Sequence, residues 1–172
     1  MTSFIAFFLL FALVISGIES DISCTFSRST KKVKCGYQEC SAVTDDTPIG
    51  YYKLGAVEFN QGKNKNWVNL YPRKKNGNDY WDYYCENPDT RRSKIALHPG
   101  SRSMGCISVP DANCWSALEK LLTSERSSIL SVTGVERSGY RSYISFSCNG
   151  GLGAGKQIKK TVSVIGSLKV TH

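Results

Sequence analysis

Seven cysteines that follow a short apolar leader constrain this chain more than any other feature of its sequence. The leader runs from Phe4 to Ser16 without a charge and is followed by small or polar residues at Gly17 and Ser20. This pattern is typical of a secretory signal peptide, and the apolar run is too short for a transmembrane span. We therefore predict that residues 1–20 direct export and that residues 21–172 fold as one secreted domain without a membrane anchor.

The cysteine count predicts three disulfides and one remaining thiol. Export favours disulfide formation, and an odd number leaves one cysteine free or bridged to another molecule. Each bridge is expected to stabilise the fold by roughly 2–4 kcal/mol. Zinc is a poor alternative, because no C-x-x-C pair occurs and the chain has only two histidines, so we expect no metal and no cofactor. The seven cysteines are Cys24, Cys35, Cys40, Cys85, Cys106, Cys114 and Cys148.

The positive charge of the chain favours an anionic partner. The formal net charge is +8, and it rises by one if cleavage removes Glu19. Nucleic acid, acidic glycans and the bacterial envelope all fit such a charge. The stretches 63–71 and 73–84 mix lysine with aromatic residues as a single-strand binding face does, but a strand with one packed face has the same mix. Export and disulfides disfavour nucleic acid, but the charge does not choose between acidic glycans and the anionic bacterial envelope, and a solvated basic face is the alternative. We expect a monomeric protein.

The glycine-rich segment from Gly150 to Gln157 resembles a phosphate-binding loop only in part. Gln157 stands where such a loop needs a magnesium-binding Ser or Thr. A loop between two strands is the favoured interpretation.

The hydrophobic pattern predicts a mainly β domain with one or two short helices. A helix is expected after Asp111, because this residue can cap it and Trp115, Leu118, Leu121 and Leu122 recur at helical spacing. Alternating apolar and polar residues predict strands elsewhere. The predicted strands are 22–27, 32–37, 51–59, 67–71, 93–98, 106–109, 128–134, 143–148 and 161–170.

His98 and Cys106 form the pair most capable of chemistry. Both lie at predicted strand ends, and the connector between them is rich in Pro and Gly, so the imidazole can approach the thiol. An imidazole that accepts the thiol proton would give an ion pair with a thiol pKa below about 8.5. The amides of Gly105 and Cys106 could face a developing oxyanion. The alternative is that His98 is structural and Cys106 is bridged, for example to Cys114.

Two motifs give the chain a resemblance to a known family. His98-Pro-Gly followed by Ser103-Met-Gly-Cys-Ile resembles the catalytic signature of the L,D-transpeptidases (YkuD domain), and Thr47-Pro-Ile-Gly-Tyr-Tyr resembles that family's T-P-x-G-x-[FY] strand. The family folds as a mixed, mostly antiparallel β-sandwich. The resemblance implies such a sandwich here, stapled by disulfides.

The resemblance also implies roles for individual residues. Cys106 would be the nucleophile, His98 the general base, and the Pro99 backbone carbonyl would orient the imidazole. With Cys106 as the free thiol, the other six cysteines close three bridges. The expected function is a secreted cysteine acyltransferase or hydrolase acting on peptidoglycan stem peptides, with transpeptidation, exchange and carboxypeptidase action all open.

Substrate contacts are expected around the cysteine. We take Arg102, or else Arg91 or Arg92, as the group that holds a substrate carboxylate. Ser103 and Ser108 are further candidate contacts, and Ser108 stands where the family usually has Asn or Arg.

Two other functions remain open from the sequence. Met104 replaces the histidine that the common bacterial form has before Gly-Cys, which together with Ser108 favours a non-catalytic secreted wall- or glycan-binding protein that retains the fold. A disulfide-rich toxin or inhibitor would need an intermolecular bridge through the seventh cysteine.

Overall fold

The structure is a computed structural model that describes residues 21–136, 146–148 and 156–172 of the 172-residue chain. The predicted signal peptide, most of the glycine-rich loop and the first half of the predicted strand 143–148 lie outside the described residues. Within them the protein is mainly β, as the hydrophobic pattern predicts, with a single helix.

The strands follow the alternation of apolar and polar side chains. In the first strand, ISCTFS, alternate residues are buried and the others face outward, as expected for a strand with one packed face. The elements are β1 Ile22–Ser27, β2 Lys32–Cys35, β3 Gln38–Ser41, β4 Gly50–Asn60, β5 Lys65–Pro72, β6 Tyr80–Trp81, β7 Cys85–Glu86, β8 Ala96–Pro99, β9 Ile107–Val109, α1 Ala112–Ser124, β10 Ser128–Val135, β11 Phe146–Ser147 and β12 Gln157–Thr171.

One large sheet almost closes on itself. Its strand order is β3-β2-β1-β12-β4-β5-β8-β9, with β10 and β6 on a branch from β12, while β11 pairs with β7 separately. The two ends of the order meet where Val43 N–H donates to Ser108 O at 2.7 Å and Ser108 N–H donates to Val43 O at 2.8 Å. Most pairs are antiparallel, but β8 and β9 are parallel, with His98 directly beside Ser108.

Helix α1 covers one face of this sheet. Asp111 caps it by accepting a hydrogen bond from the Cys114 N–H at 2.8 Å, and Trp115, Leu118 and Leu122 are buried in the main core, as their spacing predicts. No helix in the described ranges is long and apolar enough to cross a membrane.

A second, smaller cluster packs on the opposite face of β5 and β8. It contains Trp67, Tyr71, Tyr83 and Ala96, with Cys106 packed at its edge. Because side chains alternate between the two faces of a strand, Leu97 and Ile107 enter the main core while Cys106 and His98 face this second cluster. One face of β8 and β9 thus contributes to the main core, and the other face carries the residues considered for chemistry.

Three disulfides crosslink the fold, and Cys106 is a free cysteine. Cys24–Cys35 joins directly paired residues of β1 and β2, Cys40–Cys114 ties β3 to the helix, and Cys85–Cys148 joins two distant segments. The alternative of a Cys106–Cys114 bridge is therefore wrong, because Cys114 lies against β3. Three disulfides are typical of proteins in oxidising compartments.

Some strand bounds differ from the sequence-based prediction. The strand expected to start at Ser93 begins at Ala96, because Lys94 has a positive φ of 56° that interrupts the extended backbone. The last strand begins at Gln157, earlier than expected, since β10 pairs with its first half and β4 and β1 with its second half. Pairing partners, which hydrophobic pattern does not reveal, decide these lengths.

Gly166→Ala is expected to destabilise the fold strongly. Gly166 lies opposite Ile22 in the parallel β1–β12 pair, and a Cβ there would stand 2.1 Å from the Ile22 carbonyl oxygen. We expect a loss of about 2–4 kcal/mol in the free energy of unfolding, measured by urea denaturation. Gly62→Ala, whose Cβ would make only an ordinary 3.6 Å contact, serves as the control and is expected to change it by less than about 0.5 kcal/mol.

Candidate functional site

A cleft of about 850 Å³ opens over the second cluster. Its walls come from the turn between β4 and β5, from β5 itself, from the segment before β8 and from the connector between β8 and β9. Its size lies within the range of small-ligand pockets. The lining residues are Asn60, Gly62, Lys63, Lys65, Trp67, Tyr83, Tyr84, Ser93, Lys94, His98, Arg102, Ser103, Met104 and Cys106.

Cys106 lies in this cleft as a partly exposed free thiol. Its Sγ donates to the Lys94 carbonyl oxygen at 3.5 Å. Burial raises the pKa of the Cys106 thiol above its ordinary value, and the nearby Ala96 backbone, the Ser103 side chain and the Lys63 charge oppose the rise without cancelling it. The resting side chain is therefore a neutral thiol near neutral pH.

His98 is held in a defined orientation on β8. Its Nδ1 donates to the Pro99 carbonyl oxygen at 2.9 Å, because that oxygen can only accept, and this leaves Nε2 as the acceptor, 3.3 Å from the Ser108 hydroxyl. The ring stacks on Trp67 with 4.3 Å between centroids. Burial lowers the pKa of His98, with Lys65 and Lys63 acting in the same direction and the Pro99 bond opposing them.

The two reactive side chains share one sheet face on neighbouring strands. Ser108 stands beside His98, and Cys106 precedes Ser108 by two residues, so Cys106 and His98 are diagonal neighbours. Among the described residues no hydrogen bond joins Sγ to the imidazole. The expectation of a thiolate–imidazolium ion pair with a lowered thiol pKa is therefore wrong for the unliganded protein, because burial favours the neutral form of each group.

Alkylation of Cys106 is expected to speed up only at alkaline pH. The thiolate is the reacting form, and the raised pKa reduces its fraction at pH 7 below that of a free cysteine, whose pKa is about 8.5. The rate of iodoacetamide labelling of the unreduced protein, followed by mass spectrometry from pH 6 to 10, should therefore increase through a midpoint above that of a cysteine peptide. A plateau near neutral pH would contradict this expectation.

The two motifs that carry the family resemblance touch each other. The buried Thr47 hydroxyl donates to the Gly105 carbonyl oxygen at 2.8 Å, and the Asp45 N–H donates to the Ser103 carbonyl oxygen at 3.3 Å. Gly105 has a φ of +114°, which favours glycine. In the described residues, no hydrogen bond to another residue uses the N–H of Gly105 or of Cys106. These two amides can therefore serve as donors to a bound oxygen.

The predicted substrate contacts separate into two groups. Arg102 and Ser103 line the cleft, and the Ser103 hydroxyl is buried beside the thiol. Ser108, also expected to contact substrate, is fully buried and contacts His98 instead.

The other two arginines considered for the substrate carboxylate do not line the cleft. Arg92 binds Asp46 at 2.7 Å, which lowers the pKa of that carboxyl, and Arg91 lies 3.4 Å from Glu86. Of the three arginines proposed for a substrate carboxylate, only Arg102 remains in place for this role.

Sequence reasoning missed the wall opposite the cysteine. Lys65 and Trp67 project from the same face of β5, and the Lys65 ammonium donates to the Pro99 carbonyl oxygen at 3.2 Å, the same atom that orients His98. Tyr83 lies close enough to Cys106 for the charge of a thiolate to raise the pKa of its phenol, although burial raises it more. The i, i+2 spacing of Lys65 and Trp67 was a usable signal, since it places both side chains on one face of β5.

Comparisons with protein-family models, with curated proteins and with solved structures found no match to this chain. In the described part of the chain, no group of three His, Cys, Asp or Glu residues is arranged to hold a metal ion. Any function must therefore be argued from the cleft and its residues.

Proposed function

We propose that this protein is a secreted cysteine acyltransferase or hydrolase of the L,D-transpeptidase type, with the corresponding sandwich fold, that acts on peptidoglycan stem peptides. The observation that carries the proposal is the free Cys106 thiol in a large cleft, on the same sheet face as a His98 imidazole with an oriented tautomer. Six cysteines in three bridges leave this thiol alone unpaired.

The chemistry requires one proton to move twice. The Cys106 thiol loses its proton to His98 Nε2 as sulfur attacks the carbonyl carbon that precedes the terminal D-alanine of a tetrapeptide stem. The new C–S bond and the broken C–N bond give a thioester, and the imidazolium returns the proton to the departing amine. An amine from a second stem, a D-amino acid or water then cleaves the thioester and releases the thiol.

Proton transfer needs a small rearrangement of the unliganded site. His98 Nε2 now faces the Ser108 hydroxyl, which has one proton and two acceptors within reach, Nε2 at 3.3 Å and the Arg102 carbonyl oxygen at 3.2 Å. If Ser108 donates to Arg102, Nε2 is released to accept from Cys106. Catalytic hydrogen bonds are often long in unliganded enzymes and shorten when substrate binds.

The contact between the two motifs supports an oxyanion role for the Cys106 amide, beside the one proposed for Gly105. Thr47 fixes the Gly105 carbonyl, so the peptide plane that carries the Cys106 N–H is held in place. A donor fixed before the reaction stabilises the tetrahedral intermediate without reorganisation during the step. No cofactor takes part in this mechanism.

The proposed setting is extracellular. Three disulfides favour an oxidising compartment, and the positive charge of the chain suits the anionic bacterial envelope. We propose a monomer, because the mechanism is complete within one chain.

A non-catalytic wall- or glycan-binding protein is the second candidate. Two observations favour it: burial raises the pKa of the thiol, and the histidine nitrogen faces Ser108 instead of the thiol. Such a protein would bind stem peptides or glycan in the same cleft and leave them unchanged.

Incubation of the mature protein with disaccharide-tetrapeptides, analysed by mass spectrometry, tests the proposal. Loss of terminal D-alanine, its exchange for an added D-amino acid, or a dimer crosslinked between two third residues would each support it and identify the acceptor. Unchanged tetrapeptide with a folded protein and a titratable thiol would contradict it. Retention of the protein on insoluble peptidoglycan would then favour the binding protein.

A further inference from the structure

The charge of the cleft is strongly one-sided. Four of its lining side chains are cationic, Lys63, Lys65, Lys94 and Arg102, and none of its lining residues is acidic, although the chain has 14 Asp and Glu. The rings of Trp67, Tyr83 and Tyr84 also line the cleft. The cationic side chains of this lining would attract an anionic ligand.

These cations come from separate segments of the chain. Lys63 lies in the turn between β4 and β5, which Asn60 closes by accepting a hydrogen bond from the Lys63 N–H at 3.1 Å, and Lys65 is the first residue of β5. Lys94 approaches the Tyr84 ring at 5.9 Å just before β8, and Arg102 lies in the connector to β9. Their convergence is a property of the tertiary structure.

The positive field reaches the reacting groups. The Lys63 ammonium lowers the pKa of both Cys106 and His98, so its charge acts on both ends of the pair. A ligand whose acyl carbon approaches Cys106 therefore places its neighbouring substituents among Lys63, Lys94 and Arg102.

We propose that the cleft selects acyl donors that carry a carboxylate beside the scissile bond and disfavours donors with an ammonium there. The substrate class rests on the proposed function, whereas the charge preference of the cleft does not. A carboxylate fits better than a bulky polyanion, because about 850 Å³ between aromatic walls accommodates a short peptide segment. Arg102 can bind such a carboxylate with two parallel hydrogen bonds, and the lysines add charge.

Two alkylating reagents of nearly equal size measure this preference directly. Iodoacetate and iodoacetamide both react with the Cys106 thiolate, forming a C–S bond while iodide leaves and the thiol proton passes to buffer. Since both reagents need the same thiolate, the ratio of their rate constants is independent of the thiol pKa. It measures how the negative charge of the reagent changes its reaction rate in the cleft. The quantity compared is the rate constant for iodoacetate divided by that for iodoacetamide. For Cys106 this ratio is expected to be about two- to tenfold higher than for a neutral cysteine peptide at low salt, and the difference should disappear toward 1 M salt.

Matched variants assign the effect to the cleft. Lys63→Gln and Arg102→Gln are each expected to reduce the ratio about two- to fivefold. Lys120→Gln makes the same change of net charge on the exposed surface of α1, outside the cleft, and should leave the ratio unchanged. A normalised ratio at or below unity, or an equal response to Lys120→Gln, would overturn the proposal.

Stem peptides then separate this inference from the proposed function. Tetrapeptides are compared whose third residue carries a free side-chain carboxylate, the same group amidated, or a lysine ammonium. Turnover that follows this order supports the charge preference, and equal turnover of all three overturns it while leaving the proposed function intact. A raised alkylation ratio with no turnover of any stem would instead reject the function and leave the charge preference standing.

Discussion

Cys106→Ala is expected to reduce the conversion of disaccharide-tetrapeptides to background, a loss of at least about 10³-fold, while the protein still folds. Removal of a catalytic nucleophile eliminates the covalent route, and losses as large as about 10⁶ are known for such changes. Stability should change little, because Cys106 is partly exposed and belongs to no disulfide. Product formation by mass spectrometry and the midpoint of urea unfolding measure the two effects.

The interpretation of this variant depends on two comparisons. Ser116→Ala changes an exposed side chain of α1 outside the cleft and leaves the thiol in place, so it should retain the activity. Cys114→Ala is the opposite case, since it breaks the bridge to Cys40 and should lower stability by roughly 2–4 kcal/mol. Activity that persists in Cys106→Ala would reject the thiol as nucleophile.

His98→Gln is expected to lower the turnover number by about 10²- to 10⁴-fold and to leave the Cys106 thiol available for alkylation. Glutamine keeps a polar side chain of similar length but cannot accept a proton and return it. The expected loss is the range usually attributed to general acid–base catalysis. Loss of the stack on Trp67 removes some packing as well. Single-turnover assays of acyl-enzyme formation measure the effect.

The pH profile distinguishes a base from a merely structural histidine. The base acts in its neutral form, and burial lowers the pKa of His98, so activity in the native protein should decline only below the ordinary histidine value of about 6.5. The variant should lose this acidic limb. His172→Gln, which changes the only other histidine of the chain at its exposed C-terminus, should keep the native profile. An unchanged profile in His98→Gln would contradict the proposed role.

Sequence reasoning predicted the types of most elements but not their long-range pairing. The alternation in β1 and the helical stripe of Trp115, Leu118 and Leu122 are local patterns, and the structure confirms both. The parallel β1–β12 pair joins the two ends of the domain, and no local pattern encodes it. Among the bounds that differ from the prediction, the start of β8 is fixed by a left-handed residue and the start of β12 by its distant partners.

Some residues of the candidate site could be named from the sequence, and others were found only in the structure. Cys106, His98 and the Pro99 carbonyl were named from the sequence, and the structure shows the hydrogen bond from His98 to that carbonyl. The opposite wall, with Lys65 and Trp67, was missed because these residues lie more than 30 positions before His98 in the chain. The position of Ser108 against His98 follows from the parallel register of β8 and β9, which the sequence does not reveal.

The sequence by itself determined a mainly β domain with an odd cysteine, because side-chain alternation and cysteine parity are properties of the chain alone. Only the tertiary structure decided that Cys106 is the cysteine left over, that burial favours the neutral form of both it and His98, and that four cationic residues line the same cleft. The physical reason is that pKa values and electric fields depend on desolvation and on distances between groups, and both arise only when remote segments pack together.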